Sequence, residues 1–132
     1  MEKRFFNPEG LARPGVYTPV VAVSGGRTIY ISGQVSQNAD GELVGRGDLA
    51  VQAEQVYRNL ELALQGAGAG FGDVVKINVY VVGYRAEYRS LLNAVRSRYV
   101  SKDNPPVSTL IGVQVLARDG FLIEIEAVAV TA

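Results

Sequence analysis

The sequence predicts an α+β domain in which two amphipathic helices cover one face of a mixed β-sheet. Apolar and polar side chains alternate along residues 121–130, as in a strand with one buried face. Apolar residues recur at helical spacing over residues 49–67 and again over 86–100. At 132 residues, the chain is long enough for one core, and we predict a single domain spanning residues 1–132.

Short strands are predicted before the first helix. They are residues 4–6, 20–23 and 28–32, followed by a short strand near Leu43. Ser24, Gly25 and Gly26 separate the second and third of these, which is typical of a hairpin turn. We therefore expect those two strands to pair with each other.

The first predicted helix follows Asp48, a candidate N-cap residue. Glu54 and Arg58 are four residues apart, the spacing of a favourable ion pair on a helix. The glycine-rich run at residues 66–70 should end the helix. Its buried stripe is expected to comprise Leu49, Ala53, Val56, Leu60, Ala63, Leu64 and Ala67.

A strand over residues 74–82 and a second helix over 86–100 are predicted next. The expected core-facing residues of the strand are Val75, Ile77, Val79 and Val81, and those of the helix are Tyr88, Leu91, Leu92, Val95 and Tyr99. Lys76, Asn78 and Tyr80 fall on the other face of the strand. Pro105 and Pro106 prevent the helix from continuing.

The last two strands are predicted over residues 107–115 and 121–130, separated by a turn at 118–120. One face of the second strand carries Ile123, Ile125, Ala127 and Ala129, and the other carries Glu124, Glu126, Val128 and Val130. Valines are not expected on a fully solvated face, and unpaired glutamates are too costly to bury in a core. The second face is therefore expected to be partly covered. Because both helices cover one sheet face, Tyr30, Tyr80, Val128 and Val130 should lie on an open face. We expect a second copy of the chain to cover it.

Composition narrows the possible chemistry. The chain has 13 basic residues (lysine and arginine) and 13 acidic residues (aspartate and glutamate), so its net charge is zero. A neutral chain argues against a nucleic-acid partner. The chain has no cysteine and no histidine, which excludes Cys/His zinc sites, thiol nucleophiles and histidine triads. The first residues do not read as a secretory signal, and no apolar run reaches membrane-spanning length. We therefore predict a cytoplasmic protein with no membrane partner.

Several motifs occur in an order and spacing that resemble one family. They are Pro14-Gly15-Val16-Tyr17, Ile31-Ser32-Gly33-Gln34, the helix at 52–66, Gly72-Asp73-Val74-Val75-Lys76, Asn93, Pro105-Pro106-Val107-Ser108-Thr109 and Ile123-Glu124-Ile125-Glu126-Ala127. Over almost the whole chain, they resemble the Rid family, also called YjgF or L-PSP. The resemblance implies a chorismate-mutase-like α+β fold and a homotrimer with three clefts between subunits.

The resemblance also implies a function and a site. The best-known family activity is hydrolysis of enamines and imines to ketoacids and ammonia, and some members are described as ribonucleases that inhibit translation. By position, Glu124 would hold the attacking water, Tyr17, Ser32 and Gly33 would contact a small-molecule ligand, and Asn93 would support the cleft. Such chemistry needs neither a metal nor a cofactor, because a protonated imine is already electrophilic.

One position departs from the family pattern. Family members that are imine deaminases carry an arginine after the proline motif, which binds the substrate carboxylate. Here that position is Ser108, followed by Thr109, and a slip of one residue in the alignment would make it Val107. We therefore expect Ser108 and Thr109 to line a site for a neutral or amino-bearing molecule rather than a simple 2-imino acid.

The residues leave several alternatives open. The protein could be a non-catalytic metabolite-binding regulator, or an RNA-binding protein or ribonuclease. Glu124 could be a structural acceptor, which is the preferred interpretation for Glu126. Arg85, Arg89 and Arg96 share a narrow arc of the second helix and could form a solvated face or an anion anchor. Arg13 is another candidate anchor.

Overall fold

The structure, a computed structural model, describes residues 1–132 and confirms the α+β class. In chain order, the elements are β1 (Glu2–Phe6), β2 (Val20–Ser24), β3 (Arg27–Val35), α1 (Leu49–Gly66), a 3-10 turn (Phe71–Asp73), β4 (Val74–Val82), α2 (Tyr88–Arg96), β5 (Val107–Val113) and β6 (Ile123–Thr131). Near Leu43, the structure has a single bridge to Gln37 instead of a strand.

The main sheet has four strands in the order β3-β6-β4-β5. β6 is antiparallel to both of its neighbours, whereas β5 is parallel to β4. A parallel pair needs a long crossover, and α2 supplies it. The last two strands of the chain are therefore not neighbours, because β4 lies between them.

The predicted hairpin between β2 and β3 is wrong. β2 pairs with β1 in a separate two-stranded sheet, and β3 pairs with β6. Gly25 and Gly26 have left-handed φ angles of 70° and 81°, and the chain bends sharply between β2 and β3. A Cβ on Gly26 would lie 2.5 Å from the Thr131 carbonyl oxygen, so the turn packs against the end of β6. The Gly25–Gly26 pair therefore predicts the bend between β2 and β3, but it does not predict the strand with which each of them pairs.

The core lies between the helices and one face of the main sheet. All but one of the core-facing residues predicted for β4 and β6 belong to this core: Ile77, Val79, Val81, Ile123, Ile125, Ala127 and Ala129. Ala53, Val56, Leu60 and Leu64 of α1 pack against them. Val75 is buried but lies outside the core, because the β4–β6 register shifts between Val74 and Lys76 and Val74 takes the core position. Asp48 caps α1, because its Oδ1 accepts a hydrogen bond from the Val51 amide at 3.1 Å. Glu54 and Arg58 form the expected ion pair at 3.6 Å.

The second helix is shorter than predicted. It spans Tyr88–Arg96, and Glu87 at its N-cap position makes no side-chain capping bond. The Ser97 to Val100 amides continue in a mixture of hydrogen bonds to the third and fourth preceding residues, such as Tyr99 N to Arg96 O at 3.0 Å and Val100 N to Arg96 O at 2.9 Å. The apolar spacing persists through these turns, since Val100 is buried and Tyr99 stacks on Tyr57 at a centroid distance of 5.3 Å. Periodicity therefore continues beyond the regular helix.

The sheet face opposite the helices is largely open, as predicted. Tyr30 is 81% exposed, and Tyr80 and Val128 are half-buried. Val130 is the exception, because it is buried against the turn at Gly26, whose Cβ would lie 3.0 Å from a Val130 methyl group. Neither helix combines the length and the apolar character that a membrane span requires.

Candidate functional site

The predicted site residues lie on both sides of the main sheet. Ser108 is paired with the buried Ile77 in the parallel β4–β5 ladder, so both face the helices. Glu124 is paired with Tyr80, and the exposed Thr109 with Asn78, so these residues face the open side. Within one chain, the helix-side and open-face groups are therefore separated by the sheet.

A cavity of about 320 Å³, here called the helix pocket, lies between α2, the sheet and the segment containing Tyr17. It brings together Tyr17, Asn93 and Ser108, three of the predicted ligand-binding residues. Its walls are mainly apolar or aromatic and include Tyr57, Val79, Tyr84, Leu92, Leu110 and Ile123. Such a cavity, with a few polar groups set in apolar walls, is typical of small-molecule sites.

Arg96 provides the main polar group of the helix pocket. Its Nη1 donates to Ser108 Oγ at 3.0 Å, and its Nη2 donates to the Val16 carbonyl oxygen at 3.1 Å. No carboxylate lies within ion-pair distance of Arg96. Burial lowers the pKa of its guanidinium below the ordinary value. The structure thus places an arginine beside Ser108, where the strand itself lacks one.

The other candidate arginines behave differently from Arg96. Arg85 precedes α2 and pairs with Glu87 at 3.3 Å on the surface. Arg89 is exposed but lines the helix pocket. Arg13 lies in a shallow depression with Lys102, outside that pocket. The predicted arginine row is therefore divided between a surface ion pair and a pocket.

On the open face, Glu124 lies directly against Gly33. A Cβ on Gly33 would lie 1.9 Å from Glu124 Oε2, so only glycine leaves room for the carboxylate in this position. Gly33 lies within an irregularity of the β3–β6 ladder between Ile31 and Gln34. The half-buried Glu124 carboxylate accepts no hydrogen bond from another side chain or from the backbone.

Glu126, two residues further along β6, is bonded to β4 through one of its carboxylate oxygens, Oε1. It accepts hydrogen bonds from Tyr80 Oη at 2.5 Å and from Asn78 Nδ2 at 3.1 Å. The bond from Tyr80, followed by that from Asn78, lowers the pKa of the Glu126 carboxyl, and the same contact raises the pKa of Tyr80. Ser32 lines a shallow depression of about 400 Å³ next to this cluster.

Comparisons with known proteins give the family. A family model described as endoribonuclease L-PSP matches residues 10–131. The chain belongs to this family, also called Rid.

Among curated relatives, a human 2-iminobutanoate/2-iminopropanoate deaminase is 37% identical over 117 residues, covering 88% of this chain and 80% of that protein. A RutC family protein from Pyrococcus abyssi is 33% identical over 131 residues, covering 98% of both chains.

Solved Rid structures share the fold. YyfB from Yersinia pestis, a member of the conserved Rid family, superposes with a TM-score of 0.90 at 40% identity, covering 99% of this chain and 100% of that one. RidA from an Antarctic Psychrobacter superposes with a TM-score of 0.70 at 31% identity, covering 96% and 98%.

The sequence analysis did not predict two aromatic residues of the helix pocket, Tyr57 and Tyr84, or the contact between Arg96 and Ser108. Tyr57 could have been found, because it lies at helical spacing between Ala53 and Leu60 in the α1 stripe. Tyr84 follows the end of β4 and carries no periodic signal. The contact between Arg96 and Ser108 depends on how the crossover returns to the sheet, which no local pattern specifies.

Proposed function

We propose that this Rid-family protein hydrolyses a small enamine or imine, with Glu124 holding the attacking water. The observation that supports this is the contrast between the two glutamates of β6. Glu126 is occupied by Tyr80 and Asn78, whereas the Glu124 carboxylate accepts no hydrogen bond from the protein and lies over Gly33. Both oxygens of the Glu124 carboxylate are therefore free to bind a water molecule, whereas Oε1 of Glu126 already accepts two hydrogen bonds.

The proposed chemistry needs one positioned base. The water oxygen bonds to the carbon of a protonated imine while Glu124 takes a proton from the water. Glu124 then returns that proton to the amine nitrogen. The C–N bond then breaks and its electron pair leaves on ammonia, while the hydroxyl group passes its proton to the regenerated Glu124 carboxylate as the carbonyl forms, and Glu124 releases that proton to solvent.

We further propose that the protein acts as a homotrimer with ligand clefts between subunits. One chain separates Tyr17, Asn93 and Ser108 from Glu124 and Gly33 by the thickness of the sheet. Contact between subunits can bring the helix-side group of one copy to the open face of another. The open face around the exposed Tyr30 is the surface available for this contact.

The test is ammonia release from freshly generated imines by the wild-type protein and by Glu124→Gln. A lost general base should slow turnover by about 10²–10⁴-fold. Glu61→Gln is the matched control, because Glu61 is exposed on α1, far along the chain from the site. Equal rates for the wild type and Glu124→Gln would remove Glu124 from the mechanism.

A non-catalytic role is the second candidate, motivated by Ser108 in place of the family arginine. It would be favoured if no imine were turned over and a metabolite without a carboxylate raised the melting temperature.

The ribonuclease alternative has less support, because Arg85 pairs with Glu87 and Arg96 turns into the helix pocket. RNA cleavage that is lost in the Arg89→Ala, Arg96→Ala double variant would restore it.

A further inference from the structure

Arg96 is a cation without a counter-charge. By contrast, Arg98 and Arg58 both lie within ion-pair distance of Glu54, at 2.9 and 3.6 Å. The groups bonded to Arg96 are a neutral hydroxyl, from Ser108, and a backbone carbonyl. Arg96 is half-buried, and shielding part of a charge from water without pairing it is unfavourable, which is also why burial lowers the pKa of Arg96. A bound anion would relieve this cost.

The helix pocket offers further donors and no acidic residue. Arg89, Asn93 and Arg96 follow one another at helical spacing along one side of α2, and all three line the pocket. The lining of the pocket contains neither aspartate nor glutamate. The two contacts of Arg96 leave other N–H groups of its guanidinium unused.

Tyr57 adds a hydroxyl to the same pocket. Burial raises the pKa of Tyr57 to about 12, against the opposing effect of the Arg96 charge. The phenol therefore stays protonated near neutral pH, and it makes no hydrogen bond to another part of the chain. It remains available as a donor, a property suited to an anion.

The walls of the helix pocket suit an apolar body. Tyr84, Leu92 and Leu110 line it together with the Tyr57 ring. A volume of about 320 Å³ lies at the small end of the range for ligand pockets. A single ring or a short aliphatic chain with one charged group matches this space.

We propose that the helix pocket binds a small carboxylate with an aromatic or apolar body, and that Arg96, assisted by Arg89, binds the carboxylate group. A planar guanidinium suits a carboxylate, and Ser108 and Val16 hold Arg96 in position. This inference goes beyond the proposed hydrolysis, since binding at Arg96 requires neither Glu124 nor turnover. It also replaces the expectation of a neutral ligand at Ser108.

The test is calorimetric titration with benzoate and with its neutral analogue benzamide. Benzoate should bind at least about tenfold more tightly than benzamide, and Arg96→Gln should remove that preference. Arg85→Gln is the matched control, because it deletes the same charge outside the pocket and should leave benzoate binding unchanged. Arg89→Gln should reduce benzoate affinity by a smaller factor and provides a second variant if Arg96→Gln does not melt cooperatively.

Each of the following results would overturn the proposal. They are no benzoate binding at millimolar concentration, equal binding of benzoate and benzamide, and unchanged benzoate affinity in both Arg96→Gln and Arg89→Gln. Inorganic phosphate that displaces benzoate at equal concentration would assign the pocket to phosphate-type anions and also overturn the carboxylate assignment. Because the readout is binding, a failure of the proposed hydrolysis leaves this test unaffected.

Discussion

Two glutamates of β6, Glu124 and Glu126, share a sheet face but differ in their neighbours. Glu126 meets the hydroxyl of Tyr80 and the amide of Asn78 across the ladder. Glu124 meets the Cα of a glycine. A carboxylate with protein donors is held as part of the sheet, whereas one without them can take water or ligand as its partner.

Gly33→Ala tests how closely Glu124 depends on its neighbour. The new methyl group would overlap the Glu124 carboxylate, whose Oε2 lies 1.9 Å from the Cβ position. The clash falls on a flexible side chain, so we expect a stability loss of only about 1–2 kcal/mol. Imine hydrolysis should fall by about tenfold or more, because the carboxylate must move.

The control for this substitution is Gly72→Ala. A Cβ on Gly72 would meet no atom within 4 Å, so neither stability nor turnover should change much. Denaturant unfolding and ammonia release measure the two effects separately. Unchanged turnover in Gly33→Ala would show that the observed position of Glu124 does not matter for activity.

Glu126 should make stability depend on pH. Hydrogen bonds from Tyr80 and Asn78 lower its folded-state pKa below the ordinary value of 4.5. A lowered folded pKa stabilises the protein above the unfolded pKa, and this stabilisation is lost as pH falls through the folded pKa. The difference in unfolding free energy between the wild type and Glu126→Gln should therefore be largest near pH 7 and shrink below about pH 4.

Urea unfolding at a series of pH values, at fixed protein concentration, measures this difference. Glu61→Gln is a suitable control, since Glu61 makes no side-chain hydrogen bond or ion pair. If the difference in unfolding free energy between the wild type and Glu126→Gln stayed constant from pH 7 to pH 3, the expected linkage between Glu126 ionisation and stability would be contradicted.

At the scale of elements, α1 is fixed to the sheet by a buried polar side chain. Gln52 is fully buried, and its Nε2 donates to the carbonyl oxygens of Gly45 and Gly120 at 3.1 and 2.9 Å. Its Oε1 accepts from the Leu122 amide at 2.8 Å. One glutamine thus satisfies backbone groups of the segment that precedes α1 and of the segment that enters β6.

Gln52→Ala should destabilise the protein by about 2–4 kcal/mol. The substitution leaves buried backbone groups without partners and also opens a cavity. Gln65→Ala is the matched control on the same helix, because Gln65 is exposed, and it should change stability by less than about 0.5 kcal/mol. Thermal and urea unfolding give both values, and a loss equal to that of the control would show that water replaces the amide fully.

At the scale of the whole molecule, we expect the open sheet face to mediate self-association. Tyr30 is 81% exposed on this face, and burying its large ring against another subunit would remove apolar surface from water. We expect the wild type to sediment as a trimer at micromolar concentration. Tyr30→Glu should shift it toward the monomer, because a carboxylate resists burial.

Leu62→Glu controls for adding a charge at an exposed apolar residue. Leu62 is 65% exposed on α1, away from the open sheet face, so this variant should sediment as the wild type does. Analytical ultracentrifugation distinguishes the outcomes. A wild-type protein that sediments as a folded monomer would contradict the trimer and the inter-subunit cleft together.

Much of the fold could be predicted from local patterns. Alternation placed Ile123 and Ile125 in the core, and helical spacing placed Leu60 and Leu64 there. The hairpin prediction failed because a turn signal at Gly25 specifies a reversal and not a partner strand. The pairing of distant strands depends on which strands compete for the same sheet edge, and no short segment of the sequence specifies the outcome.

By itself, the sequence determined the α+β class, the extents of β4 and α1, and the absence of cysteine and histidine chemistry, because these follow from composition and from periods of two and 3.6 residues. The tertiary structure alone decided that β4 separates β5 from β6, that Gly33 makes room for Glu124, and that Arg96 reaches Ser108. Each of these joins residues that are distant in sequence, where packing of the whole chain, and not local preference, sets the contact.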